Sequence, residues 1–221
     1  MPYPAGHREA VRKRIIDTAR RLFNQHGFDN VSVKQIMAGV GMTHGGFYEY
    51  FEDKSALYSE VLSCFLTDPK SGPRWEGISV DLDSADVGAQ IIRAYLSRQH
   101  FEDVENSCPM VALPTDVRRC SPGVKTAFEA VFFAMVSLLE QSVSGRGLDR
   151  REKAQGIAAL CVGGMIVSRA LRDVRLADNL REACMAVALG LMDSSGSPDA
   201  GTEDEPKLKS ARRSSKMATA R

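Results

Sequence analysis

Apolar residues recur at three- to four-residue intervals along most of this chain, and no stretch sustains two-residue alternation. The first apolar stripe runs from Val11 through Ile15 and Ala19 to Phe23 and stops before Gly27. Such spacing places apolar side chains on one face of an α-helix, whereas alternation would indicate β-strands. The pattern predicts an all-α protein.

Two short helices are predicted around a tight turn early in the chain. Ser32 and Gln35 have the spacing of a capping box, in which each side chain bonds the other residue's backbone N–H. Gly41 stands where a left-handed residue ends a helix at least steric cost, and Thr43 can cap the next helix. Asp53 can cap a third helix.

The second of these short helices has an apolar face and an unusually bare one. Phe47 and Phe51 share a face that would pack on the preceding helix. Gly45 and Gly46 begin the opposite face, and each glycine costs a helix about 1 kcal/mol relative to alanine. A helix that enters the DNA major groove by its N-terminus explains them, because a missing side chain lets the backbone approach the duplex. The alternative is an ordinary pair of core helices with a glycine-rich turn.

The segment 40–57, VGMTHGGFYEYFEDKSAL, resembles the signature of the TetR (tetracycline repressor) family of bacterial transcriptional regulators. Residues 15–23, 27–28 and 31–33 extend this likeness to about the first 60 residues, and the remainder matches loosely. The resemblance implies a three-helix, helix-turn-helix DNA-binding domain over residues 1–53. It also implies a larger helical domain over residues 54–193 that binds an effector and dimerises.

Carried over by position, the resemblance implies two kinds of contact with double-stranded operator DNA. Hydroxyl and ammonium groups suit contacts with phosphates, and these contacts fix the position of the protein on the duplex without distinguishing base sequences. Specificity for a sequence comes from contacts with base edges. Gly39 departs from the family pattern, which commonly has alanine there. The base or groove contacts are Lys34, Thr43, His44 and Gly45, and the phosphate contacts are Ser32, Gly46, Tyr48, Tyr50 and Lys54.

Charge alone does not indicate a nucleic-acid partner. The 221 residues carry a formal net charge of +1, and the first 60 contain eight Lys or Arg against seven Asp or Glu. DNA affinity would therefore depend on where the cations lie. Arg8, Arg12, Lys13 and Arg14 cluster at the start of the first helix, where they could meet the DNA backbone. Mere solvation of that helix end is the alternative.

Cysteine spacing and motif content argue against an enzyme. The five cysteines show no CxxC pair and no zinc-type spacing, so neither disulfides nor a metal site is predicted. No GxSxG, HExxH, P-loop or dinucleotide fingerprint occurs, so we predict no catalytic residue and no cofactor. We also expect no stretch apolar enough to span a membrane and no signal peptide, which favours the cytoplasm.

Prolines and glycines divide the second half of the chain. Residues 68–86, rich in Pro, Gly and Asp, are predicted to form a loop, and one helix runs from Val87 through Phe101. Pro109 and Pro122 open the two helices that follow.

Several residues of the second domain could line an apolar cavity for an unknown small-molecule effector, although core packing is the alternative. Cys108 precedes a predicted helix start, where the helix dipole would favour a thiolate. With Cys120 it could form a redox or electrophile switch, unless it is an inert buried thiol. The candidate effector residues are Tyr95, Phe101, Cys108, Met110, Leu113, Phe128 and Phe132.

Two final helices, near 149–173 and 178–193, carry small residues that would let another helix approach closely. The resemblance implies that they form half of an intersubunit four-helix bundle. A two-fold dimer would set two reading helices about 34 Å apart on one face of the duplex. Packing within one subunit is the alternative. The candidate interface residues are Gly156, Ala159, Gly163, Ala170, Ala183, Ala186 and Gly190.

Residues 194–221 shift to Ser, Gly, Pro and charge and are predicted to be a disordered tail. Taken together, these patterns predict a homodimeric, ligand-responsive transcriptional regulator. Its expected mode is a repressor that leaves its operator when a small molecule or reactive electrophile binds. The alternative is a cytosolic helical metabolite-binding protein or enzyme that does not bind DNA.

Overall fold

The computed structural model describes residues 5–67, 78–112, 114–145 and 148–193. Within these ranges the chain forms α-helices and one 3₁₀ helix and no strand, so the all-α prediction is confirmed. The predicted disordered tail, most of the loop 68–86 and Leu113 lie outside the described residues. The α-helices are α1 Ala5–His26, α2 Val33–Gly39, α3 Lys54–Thr67, α4 Val87–Tyr95, α5 Arg98–Glu102, α6 Pro109–Ala112, α7 Pro114–Val117, α8 Pro122–Ser142, α9 Leu148–Ala170 and α10 Val174–Asp193, and the 3₁₀ helix is His44–Glu49.

The apolar stripe of α1 faces a small core shared with α2, the 3₁₀ helix and α3. Its residues Ile15, Ala19 and Phe23 are fully buried. Ile36 of α2 and Phe47 of the 3₁₀ helix are buried in the same core. These contacts remove the apolar face of each short helix from water, which stabilises elements too short to be stable alone.

The sequence signals around α2 are confirmed. Ser32 Oγ accepts the Gln35 N–H at 3.2 Å, and Gln35 Oε1 accepts the Ser32 N–H at 2.8 Å, which completes the capping box. Gly41 has φ +74°, a value that L side chains rarely adopt. A side chain at Gly39 would come within 2.8 Å of Thr18 Cγ2, so its departure from the family's alanine allows α2 to lie close to α1.

The helix after the turn is a 3₁₀ helix, whereas an α-helix was predicted. It is a single 3₁₀ segment, closed by Gly46 N–H to Thr43 C=O at 3.1 Å and Tyr50 N–H to Phe47 C=O at 2.9 Å. Thr43 occupies the cap position, but its side chain makes no capping hydrogen bond. Two glycines at its start weaken the α-helix, and a short 3₁₀ turn needs fewer residues to close its hydrogen bonds.

Helix α3 packs against both α1 and α8, and α9 packs along α10. The predicted boundary between residues 53 and 54 therefore stays a prediction. Gly164 permits the close approach of α9 to α10, because a Cβ there would lie 2.8 Å from Cys184 Sγ. The single helix expected from Val87 through Phe101 is wrong. It divides into α4 and α5, because Ser97 Oγ accepts the His100 N–H and starts a new helix.

Helix α8 is also apolar enough to pass a membrane-span test by length and composition, with a mean hydropathy of 1.4, so the expectation that no segment would do so is wrong. Core helices of soluble proteins pass the same test. In this chain Val124, Val131, Val136 and Leu139 of α8 are buried against the neighbouring helices.

A buried polar network joins α9 to α1. The Tyr95 carbonyl can only accept, so His100 Nδ1 carries the proton that it shares at 2.6 Å, and Nε2 accepts the Cys108 N–H at 3.4 Å. Burial lowers the pKa of His100 to about 4, which keeps the ring neutral. Arg169 of α9 donates to Ser107 Oγ at 2.8 Å, and Asn24 of α1 donates to the Ser107 carbonyl at 3.0 Å.

Candidate nucleic-acid interface

The 3₁₀ helix turns its polar residues outward and its aromatic anchor inward. Phe47 is completely buried, whereas the Tyr48 side chain beside it is 59% exposed. Thr43, His44 and Gly45 are exposed, and the His44 ring lies edge-on to Tyr48, with centroids 5.7 Å apart. Imidazole, hydroxyl and bare backbone therefore share one solvent-facing surface, which we call the reading surface (residues 43–46 and 48).

Nothing in the described structure requires glycine at the start of the 3₁₀ helix. A Cβ at Gly45 would meet no atom within 4 Å, and one at Gly46 would make ordinary contacts, the nearest with Met42 Cε at 3.5 Å. Neither glycine has a positive φ. Since packing and backbone geometry would both accept a side chain, the bareness of this surface is unexplained by the protein itself.

Lys54 and Ser32, both predicted to contact phosphate, have partners within the chain. The Lys54 ammonium donates to the carbonyls of Phe28 at 2.8 Å and Val31 at 3.0 Å, and it lies 4.1 Å from the centre of the Phe28 ring. Ser32 Oγ donates to Gln35 Oε1 at 2.7 Å within the capping box. Their contact with DNA stays a prediction, as it does for exposed Lys34 and half-buried Tyr50.

The basic cluster on α1 is largely bonded to the protein as well. Arg8 Nη2 donates to the Glu49 carbonyl at 2.7 Å, and Arg14 Nη2 donates to the Val40 carbonyl at 2.9 Å. Arg12 pairs with Glu60 and stacks over the Phe51 ring. Sequence reasoning missed these bonds, because a backbone carbonyl acceptor leaves no signal in the residue types.

A cavity of about 630 Å³ lies beside this cluster. Its lining includes Arg8, Arg12 and Lys13 of α1, together with Tyr50 and Cys64. None of the described residues that were predicted to bind an effector lines this cavity.

The predicted effector residues do not share one environment. Tyr95, Cys108 and Met110 are buried in the core, where the Tyr95 hydroxyl and the Cys108 thiol lie close to each other. Phe128 and Phe132 of α8 are only half-buried. Phe101 lies under the Arg181 guanidinium, 5.0 Å from ring centre to Cζ. A common effector cavity stays a prediction.

The predicted thiolate at Cys108 is wrong. The thiol is buried, and burial raises its pKa to about 11, so it is protonated near neutral pH. Helix α6 has only four residues, and its dipole does not offset this desolvation. Burial and nearby Asp29 and Asp116 also raise the pKa of Cys120, whose Sγ donates to the Asp116 carbonyl at 3.3 Å. None of the five cysteines, all of which lie within the described ranges, forms a disulfide.

One face of α9 and α10 carries the predicted dimer residues. Gly156, Ala159, Ala170, Ala183, Ala186 and Gly190 are exposed, and Gly163 is half-buried. A Cβ at Gly156, Gly163 or Gly190 would meet no atom within 4 Å. Val167 and Val187 are 49% and 56% exposed on the same two helices. We call these residues the α9–α10 face.

No group of three or more His, Cys, Asp or Glu within the described ranges could hold a metal ion. Neither the reading surface nor the α9–α10 face gathers the side chains that a hydrolytic or redox centre would need.

Comparison with known proteins identifies the N-terminal domain. Residues 15–61 match the family model for bacterial regulatory proteins of the tetR family. The HTH-type transcriptional repressor Rv1474c of Mycobacterium tuberculosis is 38% identical over 52 residues, and the regulator AcrR of Shigella flexneri is 42% identical over 53. Each match covers 24% of this chain, and 28% and 25% of those relatives respectively. The chain thus matches about a quarter of each relative's length.

Solved structures share the fold over most of the chain. A TetR-family transcriptional regulator from Agrobacterium tumefaciens has a TM-score of 0.63 at 18% identity and covers 82% of this chain and 98% of its own. SmeT, solved as a complex with triclosan, has a TM-score of 0.56 at 18% identity and covers 90% of this chain and all of its own. Identities this low show the fold alone. Residues 15–61 thus match the N-terminal domain of the tetR family of bacterial regulatory proteins, and the fold of most of the chain is similar to that of a TetR-family regulator.

Proposed function

We propose that this protein is a DNA-binding transcriptional regulator that acts as a dimer and represses transcription until a small molecule releases it. The observation that carries the proposal is the bare reading surface. Gly45 is exposed, its backbone would accept a side chain, and no atom of the described chain lies where that side chain would be. The absence of a side chain at Gly45 has a function if a DNA duplex approaches the backbone there.

The groups around Gly45 suit the two kinds of DNA contact. His44 and Thr43 stand at the start of the 3₁₀ helix, where a recognition helix meets base edges. Tyr48 offers an exposed hydroxyl suited to a phosphate oxygen. The named relatives that match this segment are a transcriptional repressor and a transcriptional regulator, which supports the same function here.

Dimerisation is supported by the α9–α10 face. Small residues permit close helix approach, and Val167 and Val187 would lose their exposure to water in a paired bundle. A two-fold pair also brings two reading surfaces to one duplex, which a single short helix needs for useful affinity.

The proposed response to a small molecule is supported by the fold that this chain shares with SmeT. The SmeT structure contains triclosan, and the shared fold suggests that the helical body of this chain binds an effector of its own. Tyr95 is the best candidate contact, because among the described residues its buried hydroxyl has the Cys108 thiol beside it and no oxygen or nitrogen partner, and a ligand could supply one. A cytoplasmic location follows from the proposed role.

The deciding experiment measures binding of the full chain to the intergenic DNA that adjoins its own gene, with a mixed-sequence duplex for comparison. We expect specific binding by the wild type. His44→Ala should change the preference at one base pair by about 1 to 3 kcal/mol. If the wild type binds both duplexes equally weakly, the proposal is wrong, and a metabolite-binding protein or enzyme becomes the better explanation.

A further inference from the structure

We propose that the cavity beside α1 is a second ligand site, which binds an organic anion with an apolar body. The cavity has a volume of about 630 Å³ and is formed mainly by α1, together with Tyr50 and with Cys64 of α3. This site is separate from the effector site proposed in the helical body. It therefore adds a ligand to the proposed function and replaces none.

The size of the cavity favours a ligand larger than a phosphate group. Small-molecule sites in proteins usually have volumes of about 300 to 1,000 Å³, and this cavity falls within that range. A single phosphate would fill only a small part of the cavity and would leave its apolar lining in contact with water. The occupant therefore needs a body as well as a charged group.

Apolar side chains form one part of the wall. Ile16 is buried and also belongs to the hydrophobic core. Ala10, the half-buried Tyr50 ring and half-buried Cys64 complete this part of the lining. An alkyl or aryl group in the cavity would remove these surfaces from water, which favours binding.

Charged side chains of α1 form the other part of the wall. The described lining contains three cations and two carboxylates, which are Arg8, Arg12, Lys13, Glu9 and Asp17. This leaves an excess of one positive charge beside the apolar surface. A ligand that carries one carboxylate would balance this charge, whereas a cationic ligand would increase it.

Arg8 is the best placed donor for the ligand's carboxylate. Its side chain is exposed, and its bond to the Glu49 carbonyl uses only Nη2. A guanidinium carries several N–H groups in a planar fork, so the others can donate to a carboxylate. Arg12 is less available, because it pairs with Glu60 and lies 4.6 Å from the centre of the Phe51 ring.

Occupation of the cavity would also affect the 3₁₀ helix, and this consequence rests on the proposed DNA-binding function. Tyr50 caps the C-terminus of that helix, and Arg8 bonds the carbonyl of its last residue, Glu49. A carboxylate bound by Arg8 competes with this carbonyl. Residues 43–46 and 48 do not line the cavity, so DNA and ligand would influence each other through the helix, and this coupling is reciprocal.

Protection of Cys64 from alkylation tests occupancy without DNA. The probe is decanoate, which joins one carboxylate to an alkyl chain, and 1-decanol is the neutral comparison. Peptide mass spectrometry measures how fast N-ethylmaleimide modifies Cys64 in the full chain. Cys120 is the internal reference, because it is also half-buried and does not line the cavity.

Decanoate in excess should slow the alkylation of Cys64 by at least about tenfold and leave that of Cys120 unchanged. Equal effects on the two cysteines, or no effect on either, would overturn the proposal. Protection by 1-decanol as strong as that by decanoate would overturn the proposed anionic class of ligand.

Filling the cavity tests the position of the site. Ala10→Trp places a large side chain at an exposed position that lines the cavity, and Thr126→Trp, at an exposed position of α8, is the matched control. Calorimetric titration should show decanoate affinity at least about tenfold weaker in Ala10→Trp and unchanged in Thr126→Trp. If Ala10→Trp binds decanoate as the wild type does, the ligand binds elsewhere and the proposal is wrong.

Removing a charge tests the site while the cavity stays open. Lys13→Met should weaken decanoate binding, whereas Lys125→Met, which removes an exposed cation of α8, should not. Equal affinities in these two variants would contradict the role of the α1 cations.

Binding to the intergenic duplex tests the coupling separately. Decanoate should lower the DNA affinity of the wild type and have less effect on that of Ala10→Trp. If the wild type binds no DNA but decanoate protects Cys64, the proposed function is wrong and the ligand site stands. If decanoate protects Cys64 and leaves DNA affinity unchanged, the coupling is wrong.

Discussion

The reading surface and the α9–α10 face both expose glycines at positions where the protein's own packing would accept a larger residue. At Gly45 and at Gly156, Gly163 and Gly190, an added Cβ would meet no atom within 4 Å. Their surroundings differ in chemistry. Gly45 lies among His44, Thr43 and Tyr48, whereas the other three share their helices with exposed valines.

We infer from this difference that the neighbours of an outward glycine indicate which kind of surface could approach its backbone closely. Hydroxyl and imidazole groups suit a polar, hydrated duplex. Exposed aliphatic side chains suit another apolar helix face. Gly39 and Gly164 differ from these outward glycines, because a Cβ at either position would lie 2.8 Å from a side chain of a neighbouring helix.

The largest effect is expected at the α9–α10 face. Val187→Glu would bring two like charges together across a two-fold interface, which costs several kcal/mol. We expect sedimentation to show a monomer and DNA affinity to fall accordingly. Val104→Glu, at an exposed valine outside α9 and α10, serves as the control and should remain dimeric. A dimeric Val187→Glu protein would show that this face has another role.

The reading surface provides the second test. Gly45→Leu should lower DNA affinity on the order of 100-fold, equivalent to about 2.7 kcal/mol. The free energy of unfolding should stay the same or rise by up to about 1 kcal/mol, because glycine is the poorer helix former. Binding titrations and denaturant unfolding measure the two quantities. If Gly45→Leu lowers the free energy of unfolding as much as it lowers the free energy of DNA binding, Gly45 is needed for folding.

An internal glycine should behave in the opposite way. Gly164→Ala places a Cβ 2.8 Å from Cys184 Sγ, and such overpacking lowers the free energy of unfolding by about 1 to 3 kcal/mol. Gly45→Ala is the matched substitution without a close neighbour. If chemical denaturation finds the two variants equally stable, the distinction between outward and internal glycines fails.

The last effect depends on pH and concerns the polar network that connects α9 with α1. Burial lowers the pKa of His100 to about 4, below the ordinary value of about 6.5. Between these values only the unfolded chain binds the proton. The free energy of unfolding should therefore fall as the pH falls through this range, by up to about 1.4 kcal/mol per pH unit.

His100→Gln should flatten this pH dependence when unfolding is measured at one fixed protein concentration. If the free energy of unfolding of His100→Gln depends on pH as steeply as that of the wild type, the pH dependence comes from carboxylates elsewhere in the protein.

Local signals predicted much of the fold. The capping box at Ser32 and Gln35 and the turn at Gly41 depend on neighbouring residues alone, so the sequence contains the information. The prediction missed the 3₁₀ form of the second helix, although the two glycines that weaken an α-helix at its start are visible in the sequence. Bonds from Arg8 and Arg14 to carbonyls 41 and 26 residues away could not be foreseen from residue types.

The error at Cys108 has a similar origin. The sequence places this residue before a proline at a helix start, which favours a thiolate only where water or a strong dipole stabilises the charge. Tertiary packing buries the thiol, and desolvation then dominates its pKa. The predicted α9–α10 face, by contrast, needed only the periodicity of small residues, although its partner remains a proposal.

The apolar length of α8 has a consequence for the synthesis of the chain. Helix α8 packs against α3 and α4, which precede it, and against α9, which follows it. During translation, the surface of α8 that α9 covers therefore stays exposed to water until α9 has been made. Transiently exposed apolar surface promotes aggregation, so we expect slowed translation between α8 and the end of α9 to lower the yield of folded protein.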